Sequence, residues 1–167
     1  MAIMSVLTFE SVFAQYADMV LRIARHGTHS LAAAEDITQE VFIKYAQCNK
    51  VFGSEDHLKA WLIRVTINHT KNHQKTFWAK RVVPVGDARA VGEGQSAQSR
   101  AVMGELFQLP YKDRVIIYLF YYEGYSLQEI AWLMGKSINT VSSQLQRARA
   151  KLKHILTRED DHADGLS

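Results

Sequence analysis

The chain has a single cysteine, Cys48, so it cannot close a disulfide within itself. That excludes a disulfide framework and fits a reducing, intracellular setting. Cys48 reads as a small packing residue. Residues Met1 to Leu7 lack a basic segment followed by a long apolar core, so no secretory signal is expected there. No uninterrupted apolar run approaches the length of a membrane span, and no membrane contact by the chain is expected. The resulting expectation is a soluble, cytoplasmic protein. There is no Gly-rich phosphate loop, no nucleophile elbow and no convincing carboxylate pair. His69 and His73 are spaced like helical metal ligands, but Thr70 stands where a Glu would follow, and no other ligands gather nearby. The expectation is no catalytic residue, no metal and no cofactor, and therefore not an enzyme. Strand-like alternation and internal repeats are also missing, so the fold class expected is all-α.

What is present is organised in two parts. With 167 residues, 47% of them apolar, the chain can form one medium domain or two small ones. Phe9, Val12, Phe13, Tyr16, Met19, Val20, Ile23 and Ala24 recur at helical spacing, and His26-Gly27-Thr28 ends that helix. Ser30 caps a second helix running to about Gln47, with Ile37, Val41, Phe42 and Tyr45 inward. After a loop from Asn49 to Ser54, a long helix runs from about His57 to Thr76, with Leu58, Trp61, Leu62, Val65 and Ile67 inward. Val82 to Val85 is extended around Pro84. Gly86 to Ser99 is small and polar and reads as a linker. Such a coil spans roughly 20 Å on average and at most about 50 Å. The domains expected are 5–83, a linker over 84–99, 100–158, and an acidic tail over 159–167.

The second part opens with a helix near Arg100 to Leu109. Pro110 then starts another that carries Val115, Ile116, Leu119, Phe120 and Tyr122. Tyr125 to Leu152 follows as two helices about a tight turn. Ser126 and Glu129 have capping-box spacing, Gly135 suits a left-handed helix end, and Ser137 suits the next N-cap. Val141, Leu145, Ala148 and Leu152 face inward, which leaves Thr140, Ser142, Ser143, Gln144, Gln146, Arg147 and Arg149 mostly outside. A plain helical hairpin would bury more than one stripe. A hydroxyl- and amide-rich face followed by arginines suits the major groove of duplex DNA.

The net charge of +3 conceals a segregation. No acid occurs from His57 to Arg81 or from Gln144 to Arg158, while Glu35, Asp36, Glu40, Glu55, Asp56 and Glu159 to Asp161 are clustered elsewhere. Two acid-free basic zones suggest two nucleic-acid surfaces. The zone from Trp61 to Arg81 adds amides and aromatics, which suit a backbone plus unstacked bases. Trp61 reads as core; Phe77 and Trp78 read equally as core or as stacking residues. Glu35, Asp36, Gln39 and Glu40 share a helix face. On residues alone, that face reads as an ordinary solvated one rather than as a grip for a basic protein.

Three motifs carry a family resemblance: Ala34 to Phe42; Trp61-Leu62-Ile63-Arg64-Val65 with Asn68; and Leu109-Pro110 to Lys153, including Tyr122-Glu-Gly-Tyr-Ser-Leu-Gln-Glu-Ile-Ala131. In that order, over about residues 9 to 157, the chain resembles the extracytoplasmic-function group of the sigma-70 family, promoter-recognition subunits of bacterial RNA polymerase. The resemblance implies that Glu35, Asp36, Gln39 and Glu40 bind core polymerase at the β′ clamp helices. It implies that Asn49, Ser54, Arg64, Asn68, Lys71, Asn72 and Lys75 meet the −10 promoter element, with one base unstacked into a pocket. Ser137, Asn139, Thr140, Ser142, Ser143, Gln146, Arg147 and Arg149 would meet the −35 element. The second domain would also touch the β flap, the linker would run toward the RNA path, and an anti-sigma factor would silence the protein. Ser142 and Gln144 stand where many relatives are basic, which implies fewer phosphate contacts and a shallower salt dependence. Ile67 replaces a frequent arginine and Asn72 a common acid. Two other functions fit parts of the pattern: a stand-alone helix-turn-helix regulator, and a sigma-like module that titrates an anti-sigma factor. The stretch from Trp61 to Arg81 favours the sigma reading over both.

Overall fold

The computed structural model describes residues 7–28, 30–79, 104 and 106–164, with side chains described to Thr76 and to Thr157 in the helices that run past them. The extended segment at Val82, the linker from Gly86 and most of the helix expected from Arg100 lie outside the described residues, as do the side chains of Phe77 and Trp78. The chain divides into two units, Met1–Gly86 and Asp87–Ser167.

Unit one packs three helices, each against the other two: α1 (Phe9–Gly27), α2 (Leu31–Gln47) and α3 (Glu55–Ala79). The side chain of Thr8 caps α1 by accepting from the Ser11 amide, and Ser30 caps α2 through Ala33. Ser54 Oγ accepts from the His57 amide at 3.1 Å, so α3 starts at Glu55, two residues before the periodicity places it. The core is Val12, Val20 and Ile23 of α1, Ile37 and Val41 of α2, and Leu58, Leu62, Ile63 and Ile67 of α3. Burying side chains of this size contributes about 1.5–3 kcal/mol each. Thr66 and Thr70 are also fully buried, because each hydroxyl donates to the carbonyl four residues back, Leu62 at 2.6 Å and Thr66 at 2.8 Å. Trp61, expected inward, is only half-buried; it lies edge-on to Phe52, centroids 5.5 Å apart.

Unit two is built from α4 (Tyr111–Ile117), a π-helical turn (Tyr118–Tyr122), α5 (Leu127–Met134) and α6 (Ile138–Asp164). Val115 and Ile116 of α4, Leu119 of the π turn, Ile130 and Leu133 of α5, and Val141, Leu145 and Ala148 of α6 are buried and form the core, with α6 packed against α4 and α5 and the π turn against α5. The π turn corrects one sequence expectation. An added residue per turn shifts the helical phase, and Tyr122 is 61% exposed rather than inward. The turn is held by a stack of Tyr118 on Tyr122, centroids 5.1 Å apart, and by the Tyr118 hydroxyl donating to Glu123 Oε1 at 2.7 Å. Arg114 is buried, which the sequence did not suggest. Its guanidinium donates to the carbonyls of Phe107 at 3.1 Å and Leu109 at 2.6 Å, and burial pulls its pKa down to about 10. The acidic tail expected from Glu159 is helical through Asp164, because no glycine or proline interrupts the chain before Gly165 and extending an existing helix costs little.

Candidate functional site

Three polar surfaces stand out, two on unit one and one on unit two. On α2, Glu35, Asp36, Gln39 and Glu40 are all exposed, while Ile37 and Val41 on the opposite side are buried. The four are not equivalent. Glu40 Oε2 lies 3.0 Å from His69 Nδ1 of α3, the Glu 60% and the His 26% exposed. Glu40 therefore leans toward α3, and Glu35, Asp36 and Gln39 are left as the outward acids and amide. His69 is spent on that contact, and no group of three or more potential metal ligands occurs among the described residues.

On α3, Arg64, Asn68, Asn72 and Lys75 are exposed and Lys71 is half-buried. Their spacing of three and four residues makes one stripe, with no acid from His57 to Thr76. At the start of the stripe lies an aromatic group. Tyr45 is 6.3 Å from both Phe52 and Trp61, and Phe52 meets His57 edge-on at 6.5 Å. Burial pushes the Tyr45 phenol up, with Cys48 adding to the shift. Asn49 is exposed; Ser54 is exposed too, but its hydroxyl is occupied by the α3 cap. Gln74 Nε2 donates to the Gly27 carbonyl at 2.6 Å and ties the far end of the stripe to α1.

On unit two, α5 and α6 form a helix-turn-helix whose local signals are all met. Glu129 Oε2 accepts from the Ser126 amide at 2.8 Å, and Ser126 Oγ accepts from the Glu129 amide at 3.2 Å. Gly135 ends α5 at φ +64°, a left-handed conformation. Ser137 Oγ accepts from the Thr140 amide at 3.2 Å and starts α6. Ser137, Asn139, Thr140, Ser143, Gln146 and Arg147 are exposed, and Ser142 is half-buried. Arg149 is exposed too but is set apart by its contacts. Its Nε donates to the Tyr121 hydroxyl, and its guanidinium lies over the rings of Phe120 and Tyr121 at 5.4 and 5.3 Å. Sequence reading passed over Lys136, whose Nζ donates to Gln144 Oε1 at 2.9 Å. A pair separated by a turn has no helical spacing to reveal it.

A three-helix unit with an acidic face and a basic, aromatic-headed stripe, followed by a helix-turn-helix unit, matches known family models in the same order. The Sigma-70 region 2 model matches residues 12–79 and the Sigma-70 region 4 model matches residues 99–152. The chain belongs to the sigma-70 family, the promoter-directing initiation factors of RNA polymerase. Within it, the chain falls in the extracytoplasmic-function (ECF) group. It is 25% identical over 150 residues to the ECF RNA polymerase sigma factor SigM of Mycobacterium tuberculosis, covering 89% of this chain and 76% of SigM. It is 26% identical over 166 residues to the RNA polymerase sigma factor YlaC of Bacillus subtilis, covering 90% of this chain and 93% of YlaC. Its fold is similar to the sigma factor RpoE of Bartonella quintana, solved in complex with the anti-sigma factor NepR: TM-score 0.77, 24% identity, 91% of this chain and 98% of that one. No helix among the described residues is long and apolar enough to cross a membrane.

Proposed function

We propose that this sigma factor divides its work among the three surfaces. Asp36 and Gln39, flanked by Glu35 and Glu40, dock core polymerase at the β′ clamp helices; an exposed acidic patch on a rigid helix orients a basic partner. Arg64, Asn68, Lys71, Asn72 and Lys75 hold the −10 element, with Asn49 and Ser54 in the loop before α3. The aromatic group at Tyr45, Phe52 and Trp61 offers a wall for an unstacked base. The exposed face of α6, from Ser137 to Arg147, enters the −35 major groove, and the unit that carries it also meets the β flap.

The observation that carries this reading is the acid-free stripe on α3 beside the acidic face of α2, both exposed within one three-helix unit. A stand-alone helix-turn-helix regulator has no use for both. The protein acts without catalysis of its own, in the cytoplasm, and an anti-sigma factor silences it by covering these surfaces, as the NepR complex of the RpoE relative suggests. The test is transcription in vitro with purified core polymerase on a promoter library. Enrichment of a two-element promoter is the expected result. A folded protein that yields no transcript from any template overturns the proposal.

A further inference from the structure

We propose that Lys136 and Gln144 together seat one backbone phosphate of the −35 duplex, a contact that rests on the reading of α6 as the groove-entering helix. Lys136 lies in the turn before α6 and Gln144 in its second turn; Nζ and Oε1 are 2.9 Å apart. An ammonium has three N–H donors and no acceptor. The amide that faces it must therefore present its oxygen, whichever way the amide would sit alone, and its NH2 group points away from Nζ. The joint edge carries ammonium N–H and amide N–H groups with one positive charge.

The surroundings agree. Thr140 is one turn before Gln144 and Arg147 one turn after; both are exposed. No acid occurs from Ile130 to Arg158. Among major-groove base edges only guanine offers two acceptors, and it carries no charge, whereas every phosphodiester offers only acceptors and a full negative charge. A charged, donor-rich edge matches the phosphate. Position points the same way. Gln144 is half-buried on the flank of α6, while Asn139, Ser143 and Gln146 are exposed on the side away from buried Val141, Leu145 and Ala148. A helix in a groove meets base edges with its outward side and backbone with its flanks. The charge that position 144 lacks in the sequence is thus present beside it in space, and the shallower salt dependence expected from Gln144 is offset by Lys136.

The test uses the full chain assembled with core RNA polymerase and binding to promoter fragments across a salt series. Lys136→Met, which keeps the stem and loses the donors, should lower the slope of log K against log salt by about 0.9, the share of one phosphate. The loss should be the same factor on every −35 variant. Lys136→Arg should keep the slope. Gln144→Ala should weaken binding less than Lys136→Met, and the double variant should bind like Lys136→Met alone. An unchanged slope for Lys136→Met overturns the contact, as does a loss confined to one base pair or losses that multiply in the double variant. Circular dichroism confirms that each variant is folded. A wild-type assembly that binds no promoter overturns the groove reading and this contact with it; wild-type binding with an unchanged Lys136→Met slope overturns the contact alone.

Discussion

Arg149 and Tyr121 are joined side chain to side chain, the Arg149 Nε donating to the Tyr121 hydroxyl while the guanidinium lies over that ring and the ring of Phe120. The contact links α6 to the π turn 28 residues earlier and holds this exposed arginine against the surface of its own unit. Arg147, two residues before, is exposed as well, on the side of α6 that carries Ser143 and Gln146. The two should separate on mutation. Arg149→Ala should destabilise the second unit by about 1–2 kcal/mol, the combined scale of a hydrogen bond and a cation–π contact. Arg147→Ala should change stability by less than about 0.5 kcal/mol and weaken DNA binding evenly across sequences. Urea unfolding together with binding to scrambled and cognate duplexes measures both; equal stability losses would contradict the distinction.

Asp36 is exposed on α2, so a charge reversal there should not disturb packing. Asp36→Arg is predicted to abolish co-purification with core polymerase while the thermal midpoint stays within a few degrees of wild type. A variant that still co-purifies would move the docking face elsewhere.

Ser143 and Gln146 lie on the exposed side of α6 and carry hydrogen-bonding groups without charge. Replacing either with alanine should relax preference at a single base pair by roughly 1–3 kcal/mol and leave the salt slope unchanged. Selection from a randomised −35 library reads this out. Uniform losses would make both residues backbone contacts.

Gly135 ends α5 at φ +64° with open space where a Cβ would stand. The cost of Gly135→Ala is therefore conformational rather than steric contact with neighbours, about 1–2 kcal/mol. Gly135→Asn, which tolerates the left-handed region better, should recover part of that loss in the same unfolding assay.

Tyr16 is buried, and its phenol is held above its ordinary value by burial first, then by Glu55 and Asp56. The folded state thus holds this proton more tightly than the unfolded chain does. The stability that follows is fully present below about pH 10 and is lost as the pH rises beyond it. Urea midpoints compared at about pH 9 and about pH 11 should fall for wild type and fall less for Tyr16→Phe. An identical fall in both would remove Tyr16 from the alkaline transition.

The parts of this molecule that could be read from its sequence are those whose partners sit three or four residues apart. Ser126 with Glu129, Ser137 with Thr140, and the stripe from Arg64 to Lys75 depend only on helical geometry. Gly135 was readable because a left-handed residue at a helix end favours glycine. The Glu40–His69 contact was not, because it joins α2 to α3 and depends on how those helices pack. Lys136 and Gln144 escaped for a similar reason, since a turn intervenes. The π turn was hidden because every residue of Tyr118-Leu-Phe-Tyr-Tyr122 is apolar or aromatic, so the sequence suits an inward side at either helical phase. Arg114 was missed because a buried arginine needs specific carbonyl partners, and those lie in the irregular segment before Pro110.

The bond from Gln74 to the Gly27 carbonyl joins the last turn of α1 to the segment of α3 that carries Lys71 and Lys75. These segments should open together rather than fray independently. In hydrogen exchange, the amides near Gly27 and those from Lys71 to Thr76 should form one cooperative unit, and Gln74→Ala should accelerate both by a similar factor. Bound DNA that slows exchange along the basic stripe would then also slow it at the end of α1, a site it need not touch.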